Sequence, residues 1–171
     1  MKNLYLIGYM GTGKSTVAAF LSKEHGMDIL EMDEMLSERE GMSISDIFAA
    51  HGEEYFRDAE TRLLKEICMK ENTVVSCGGG VVLRSQNVDE MKTCGNIVLL
   101  SAKPETILER LKDDMSRPLL QGNKTVDFVA EMMEKRREQY ERAADIVIHT
   151  DGKQIAQICR EILEQIKEIG E

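Results

Sequence analysis

The chain has 171 residues, of which 42% are hydrophobic and 31% are charged, and its formal net charge is −9 at pH 7. This length and composition predict one soluble globular domain with a substantial core. The negative charge argues against general binding to nucleic acid or to an anionic membrane, because the summed field repels polyanions. Any bound nucleotide must therefore be held by local cations.

Strand-like and helix-like segments alternate along the chain. The predicted strands are 4–7, 27–32, 73–77, 97–100 and 146–148. The predicted helices are 16–23, 33–40, 43–50, 53–71, 87–93, one beginning at Pro104, 125–144 and 153–169. Residues 113–124 show no hydrophobic periodicity and are expected to form a loop. This alternation predicts one α/β domain, residues 1–171, built around a parallel sheet.

Cysteines, histidines and the N-terminal segment give no sign of a disulfide framework, a metal site or a membrane span. The four cysteines are Cys68, Cys77, Cys94 and Cys159. They have no C-x-x-C spacing, so we expect unpaired, mostly buried thiols in a reducing cytoplasm. The three histidines are isolated, and the apolar run 4–7 is too short for a signal sequence or a span. We expect a cytoplasmic protein and, since no exposed apolar stripe stands out, a monomer.

Residues 8–15 read Gly-Tyr-Met-Gly-Thr-Gly-Lys-Ser and fit the spacing G-x-x-x-x-G-K-[ST] of a phosphate-binding loop. Glycines let the backbone N–H groups point at phosphate oxygens, and the following helix adds its partial positive charge. Lys14 would reach the outer phosphates, and the Ser15 hydroxyl would ligate Mg²⁺. The predicted nucleotide-binding residues are Gly11, Thr12, Gly13, Lys14, Ser15 and Thr16. A glycine-rich turn with an incidental lysine is the alternative interpretation.

Four segments follow strands at the edge where open parallel sheets bind ligands. They are the phosphate loop, Glu31 with Asp33, residues 78–80, and the loop around Arg117. The third strand ends in Cys77 where many phosphate-loop enzymes place a metal-binding Asp, so Glu31 or Asp33 must serve the metal. A GTPase is disfavoured, because the Asp of residues 123–127 comes one place too late for N-K-x-D. A solvated helix start is the alternative for Glu31 and Asp33.

Residues Gly78, Gly79 and Gly80 and three arginines point to a small anionic ligand. Bare backbone would let a hydroxyl-rich ligand approach the glycine N–H groups, although a plain tight turn is also open. A guanidinium group matches carboxylate and phosphate in two-point geometry. Arg57 adjoins an aromatic residue that should be buried, and Arg117 has no carboxylate within two residues on either side. Arg136 lies in a charged run, where pattern alone favours a solvated face.

Taken in order, these residues resemble the shikimate kinases. The resemblance covers nearly the whole chain: residues 8–15, the Asp33 region, 47–53, Phe56-Arg57 with Glu60, 78–80, 117–120, and Arg136 four residues before Tyr140. Many families share the phosphate loop alone. The ordered set of Phe-Arg, triple glycine and Arg-Pro-Leu is much more specific.

The resemblance implies the fold of the nucleoside monophosphate kinases, with a five-stranded parallel sheet flanked by helices. A substrate-binding subdomain would lie at about 33–61 and a lid at about 113–124. The implied reaction transfers the γ-phosphoryl group of ATP to the 3-hydroxyl of shikimate, a step toward chorismate and the aromatic amino acids. ATP and shikimate would be the partners and Mg²⁺ the cofactor.

The same resemblance implies roles for individual residues. Arg57 and Arg136 would clamp the shikimate carboxylate with the Gly80 backbone, and Asp33 would hold the ring hydroxyls with help from Gly78 and Gly79. Asp33 would either accept the proton of the attacking hydroxyl or only orient its oxygen. Arg117 would contact the transferring phosphoryl group together with Lys14, and Arg110 would lie against adenine.

One departure from the family pattern concerns the metal. The family often has Asp-x-Asp after the second strand, whereas this chain has Glu31-Met32-Asp33. Glutamate keeps the charge but adds a methylene, so a contact from Glu31 to Mg²⁺ through water could survive with a shifted water. Metal affinity is the property that this change affects.

Two other functions stay open at this point. The nearest is a kinase of the same fold that acts on another small hydroxylated acid or on a nucleotide. A more distant one is a nucleotide-dependent binding domain without transfer activity. Intact Lys14, Ser15, Asp33 and Arg117 argue against the second, because a decayed kinase usually loses one of these residues.

Overall fold

A computed structural model describes residues 1–112 and 125–170. Its strands are β1 (Asn3–Ile7), β2 (Asp28–Glu31), β3 (Thr73–Ser76), β4 (Gly95–Ser101) and β5 (Ile146–His149). All neighbouring strands pair in parallel, in the order β2-β3-β1-β4-β5. The predicted parallel sheet is confirmed. With β1 in the centre, the loop that follows it opens at the middle of the sheet edge.

Helices connect the strands. They are α1 (Lys14–His25), α2 (Met32–Glu40), α3 (Ile44–Ile67), α4 (Ser85–Cys94), α5 (Pro104–Leu111), α6 (Val126–Ala143) and α7 (Ile155–Ile169), with a short 3₁₀ turn at Val81–Leu83. Most predicted ends of helices and strands lie within a few residues of the observed ends. Met32, predicted as the end of a strand, instead begins α2 and is fully buried.

Helix α3 contains the two helices that the sequence predicts at 43–50 and 53–71. Gly52 separates them with φ 85° and ψ 170°, a conformation that favours glycine, and the helix bends there. Ser43 caps the first half, since its side chain accepts a hydrogen bond of 3.1 Å from the Asp46 backbone N–H. The second half ends at Ile67, earlier than predicted. The bend at Gly52 sets the direction of the half that carries Arg57 and Glu60.

Buried side chains cover both faces of the sheet, so the expected sheet flanked by helices is confirmed, with three layers. On one face, α1 and α7 pack against β1 and β4 through residues such as Val17, Leu21 and Ile162. On the other face, α3 and α4 contribute Leu63 and Met91, among others, to a second cluster. Each fully buried Leu or Ile of this kind contributes about 1.5–3 kcal/mol to folding.

The expectation of four unpaired thiols is wrong for one pair. Cys68 and Cys94 form a disulfide with a Cα–Cα distance of 5.5 Å, joining the C-terminal ends of α3 and α4. They are 26 residues apart in sequence, and packing of the two helices brings them together without any local motif. Cys77 and Cys159 are free and buried, as predicted.

Some sequence predictions lie outside the described residues. These are Arg117 and the predicted lid at 113–124. Within the ranges 1–112 and 125–170, no helix is long and apolar enough to cross a membrane.

Candidate active site

The loop between β1 and α1 has the backbone shape that phosphate binding requires. Gly8 and Gly13 have φ values of 142° and 97°, and a Cβ on Gly8 would lie 2.5 Å from the Leu100 carbonyl oxygen. Thr12 is buried, and its hydroxyl donates a hydrogen bond of 2.8 Å to the Tyr9 carbonyl. The Thr12 side chain therefore braces the loop from inside.

The first turn of α1 is suited to an anion. Gly13 precedes it without a side-chain cap, and the turn contains no acidic residue. The Lys14 ammonium group lies within the loop, donating hydrogen bonds of 2.7 Å to the Gly8 carbonyl and 3.2 Å to the Tyr9 carbonyl. Backbone N–H groups, the helix dipole and an ammonium group thus occupy one small region, which favours phosphate.

Oxygen atoms that suit a hard cation lie beside this turn. The Ser15 hydroxyl is 3.5 Å from the hydroxyl of Ser76, the last residue of β3. Glu31 ends β2 and pairs in register with Ser76. Among the described residues, no group of three or more His, Cys, Asp or Glu side chains could hold a metal by itself. A hydroxyl with a carboxylate that acts through water fits Mg²⁺, which usually keeps several of its waters.

Gly78, Gly79 and Gly80 make room for four charged side chains. None of the three has the positive φ that would require glycine. A Cβ on Gly78 would lie 2.7 Å from Asp33 Oδ1 and 3.0 Å from Glu60 Oε2. On Gly79 it would lie 3.2 Å from Arg136 Nη1, and on Gly80 it would overlap the Arg57 guanidinium group. The segment does form a turn, but the turn alone does not explain three glycines.

Arg57 is held firmly and almost entirely buried. Its side chain is 11% exposed, and Nη1 donates a hydrogen bond of 3.1 Å to Glu60 Oε1. Its Nε lies 3.5 Å from the exposed carboxylate of Glu53. The guanidinium carbon is 5.9 Å and 5.3 Å from the ring centres of Phe48 and Phe56, a favourable cation–π distance. The predicted burial of the aromatic residue beside Arg57 is confirmed.

Arg136 and its neighbour Arg137 have different environments. Arg137 is exposed and ion-paired with Glu134 and Glu141, which is the solvated face that the charge run indicates. Arg136 instead is half-buried and reaches Gly79. Since consecutive Cα atoms are about 3.8 Å apart, Arg136 at Gly79 and Arg57 at Gly80 approach one short backbone segment. Two guanidinium groups are therefore available to one small anion.

Sequence reasoning assigned no role to Glu60 and placed Tyr140 only in the core. Glu60 is 0% exposed, and burial is the main reason that its pKa rises to about 7, against the lowering effect of Arg57. The Tyr140 hydroxyl donates a hydrogen bond to the Gly79 carbonyl. One signal was available for Glu60: it lies on the same helical face as the buried Phe56 and Leu64, where a carboxylate needs a partner.

Arg110 lies beside the phosphate loop. Its Nη1 donates a hydrogen bond of 2.9 Å to the Gly11 carbonyl and lies 3.4 Å from the Thr150 hydroxyl. The side chain is exposed and bridges α5, the loop and the segment after β5. This position adjoins the predicted nucleotide-binding loop, and the contact with adenine stays a prediction.

Comparison with known proteins identifies the family. A sequence profile described as shikimate kinase matches residues 10–167. The chain belongs to the shikimate kinase family. The shikimate kinase of a Sulfurihydrogenibium species is 42% identical over 167 residues, which cover 98% of this chain and 99% of that protein.

Solved shikimate kinases also match along the whole fold. The enzyme from Acinetobacter baumannii, solved in complex with shikimate, superposes with a TM-score of 0.89 at 31% identity, covering 98% of this chain and 94% of that one. The enzyme from Aquifex aeolicus gives a TM-score of 0.83 at 38% identity, with 98% coverage of both chains. The fold implied by the resemblance is confirmed.

In this shikimate kinase family member, three of the four segments predicted to converge lie together. Ser15 reaches the end of β3, Asp33 reaches Gly78, and the two arginines reach the next two glycines. The fourth segment, around Arg117, lies outside the described residues. The described part of the site therefore places a phosphate loop near a glycine segment surrounded by two guanidinium groups and two carboxyl groups.

Proposed function

We propose that this protein transfers the γ-phosphoryl group of ATP to the 3-hydroxyl of shikimate, giving shikimate 3-phosphate and ADP. The reaction is a step toward chorismate and the aromatic amino acids. The observation that carries the proposal is the approach of Arg57 and Arg136 to adjacent glycines, with Asp33 at the next one. This arrangement suits an acceptor that has one carboxylate and several hydroxyl groups.

Recognition of the acceptor depends on preformed charge. Arg57 and Arg136 bind the shikimate carboxylate, and the Gly80 N–H adds a third donor. Arg57 is already ordered by Glu60 and two aromatic rings, so little side-chain entropy is lost when the acceptor binds. Gly78 and Gly79 let the ring approach the backbone while Asp33 holds the ring hydroxyls.

Alignment and charge neutralisation supply most of the rate of phosphoryl transfer. The N–H groups of residues 11–16 and the Lys14 ammonium group hold the ATP phosphates, with Arg110 beside the adenine. Asp33 holds the attacking hydroxyl and either accepts its proton or orients its oxygen. Ser15, with Glu31 acting through water, would hold Mg²⁺, which would neutralise phosphate charge. Arg117 contributes a further positive charge to the transferring group.

The remaining parts of the proposal concern organisation and setting. Residues 33–61, which include α2 and the first part of α3, form the substrate-binding subdomain, and 113–124 form a lid that excludes water. The net charge of −9 supports the absence of nucleic-acid partners. We also propose that the protein works as a monomer in the cytoplasm, where ATP is available.

The position of transfer can be tested directly by ³¹P NMR of the product. Purified protein is incubated with Mg²⁺-ATP and shikimate, and the new phosphomonoester signal is assigned by its coupling to the ring protons. Coupling to the proton at carbon 3 is the expected result. A phosphomonoester at another hydroxyl, or none at all, would contradict the proposal.

A further inference from the structure

Glu60 is a buried carboxyl group with only one of its oxygens satisfied. Oε1 accepts the hydrogen bond from Arg57, but Oε2 has no hydrogen-bond partner in the described part of the chain. An unpaired buried carboxylate oxygen is costly, because water that would solvate it is excluded. Oε2 needs either a proton or a new partner.

The orphan oxygen lies beside Gly78 and Asp33, which belong to the proposed acceptor site. Asp33 Oδ1 and Glu60 Oε2 lie 2.7 Å and 3.0 Å from one common point, the place where a Gly78 Cβ would be, so they are within about 6 Å of each other. The charged groups around Glu60 come from several elements: Arg57 on its own helix, Asp33 on α2 and Arg84 before α4. The negative charge of Glu60 also contributes to the raised pKa of the buried Cys77 thiol after β3.

The balance between these groups leaves Glu60 close to its titration point. Burial raises the pKa of Glu60 to about 7, and Asp33 adds to the rise, while Arg57 and Arg84 oppose it. Arg57 is thus the main group that keeps Glu60 ionised. Anything that draws positive charge from Arg57, or adds negative charge beside it, favours the neutral acid.

We propose that Glu60 takes up a proton from solvent when an anionic acceptor binds Arg57. The proton adds to the Glu60 carboxylate, the buffer loses it, and no other bond changes. Arg57 keeps its charge, and the carboxylate of the acceptor replaces that of Glu60 as its negatively charged partner. Glu60 is therefore a positioning residue: Oε2 takes the proton, and Oε1 accepts the hydrogen bond from Arg57 in both the ionised and the neutral form.

This inference rests on the proposed function, because it takes shikimate as the anionic acceptor. The direction of the pH dependence follows from linkage. Binding raises the pKa of Glu60 above its value in the empty site, so binding takes up protons. The affinity for shikimate is then highest below pH 7 and falls as the pH rises through the pKa of the empty site. The decline stops above the pKa of the occupied site.

Isothermal titration calorimetry measures proton uptake on shikimate binding directly. Shikimate is titrated into the full protein at pH 7.5 in HEPES and in Tris, whose ionisation enthalpies differ; phosphate buffer is avoided because the anion would compete. A pKa that moves from about 7 to at least about 8 predicts uptake of roughly half a proton per shikimate. Glu60→Gln keeps an acceptor for Arg57 but cannot titrate, so its heats should not depend on the buffer.

Glu53→Gln is the matched control, since Glu53 also contacts Arg57 but is 65% exposed. It should retain the buffer dependence of the unmodified protein. Equal heats in both buffers for the unmodified protein, or buffer dependence that survives Glu60→Gln, would overturn proton uptake by Glu60. Either result would leave the proposed function intact. Absence of shikimate binding in every buffer would instead overturn the proposed function, and this inference with it.

The pH profile of KM gives a second readout that does not need a variant to fold. In the unmodified protein, KM for shikimate should be flat below about pH 6.5 and rise at least about three-fold per pH unit around pH 7.5, the slope that half a proton gives. KM for ATP should not follow that curve. A KM for shikimate that is flat from pH 6 to pH 8.5 would contradict the proposal.

Discussion

The hydroxyl of Tyr140 donates a hydrogen bond to the carbonyl of Gly79, across 61 residues of sequence. Tyr140 is one helical turn after Arg136, so α6 carries both the guanidinium group that we propose binds the acceptor and an anchor for the glycine segment. Burial raises the pKa of Tyr140, which keeps it protonated as a donor at neutral pH. The glycine segment is therefore anchored by the same helix that carries Arg136 of the proposed clamp.

Tyr140→Phe should loosen this segment while leaving the core filled. A net hydrogen bond contributes about 1 kcal/mol, so we expect KM for shikimate to rise roughly five-fold with little change in KM for ATP. Steady-state kinetics with each substrate varied in turn measures both. A rise confined to KM for ATP would show that Tyr140 serves the nucleotide side instead.

Gly80→Ala should displace Arg57, because the new Cβ would occupy the space of the guanidinium group. We expect KM for shikimate to rise at least about ten-fold, the loss of one charge-assisted contact. Gly170→Ala is the control: its nearest atom to an added Cβ is 3.4 Å away and its φ is −89°. Normal KM in a folded Gly80→Ala protein would mean that Arg57 does not bind the acceptor.

Arg57→Ala and Arg136→Ala should mainly weaken shikimate binding. A hydrogen bond to a charged group contributes about 1.5–3 kcal/mol, so KM for shikimate should rise roughly 10- to 150-fold with ATP saturating. Arg137→Ala, on the exposed side of the same helix, should leave KM unchanged. The clamp is contradicted if Arg136→Ala and Arg137→Ala behave alike.

Asp33→Asn should lower the turnover number of the enzyme. Loss of a positioned acid or base typically lowers the rate about 10²- to 10⁴-fold, and single-turnover kinetics would place the loss in the chemical step. Glu34→Gln, the exposed neighbour, should retain full turnover. Near-normal turnover in purified Asp33→Asn would remove Asp33 from the chemistry.

The sequence predicts the parts of this protein that depend on local pattern. The phosphate loop, the strand alternation and the buried face of α3 all have short-range signatures, and the structure confirms the fold that they imply. The kink at Gly52 was also visible, as a break between two predicted helices. Family resemblance added the pairing of Arg57 with Arg136, which pattern alone did not support for Arg136.

Features that depend on packing between distant segments were not predicted. The disulfide of Cys68 and Cys94 needs the ends of α3 and α4 to meet, and nothing in either helix indicates this. The orphan oxygen of Glu60 is likewise a property of the assembled pocket, since its burial depends on Gly78 and its neighbours. Long-range contacts of this kind appear only when the chain is folded.

The central claim is that shikimate is the acceptor, and ADP release by the purified protein tests it most directly. A coupled assay with Mg²⁺-ATP would compare turnover without acceptor and with shikimate, quinate, gluconate or nucleoside monophosphates. We predict strong stimulation by shikimate alone. No response to shikimate, together with stimulation by another compound, would contradict the assignment of shikimate as the acceptor. The conclusions on the fold and the phosphate loop would be unaffected.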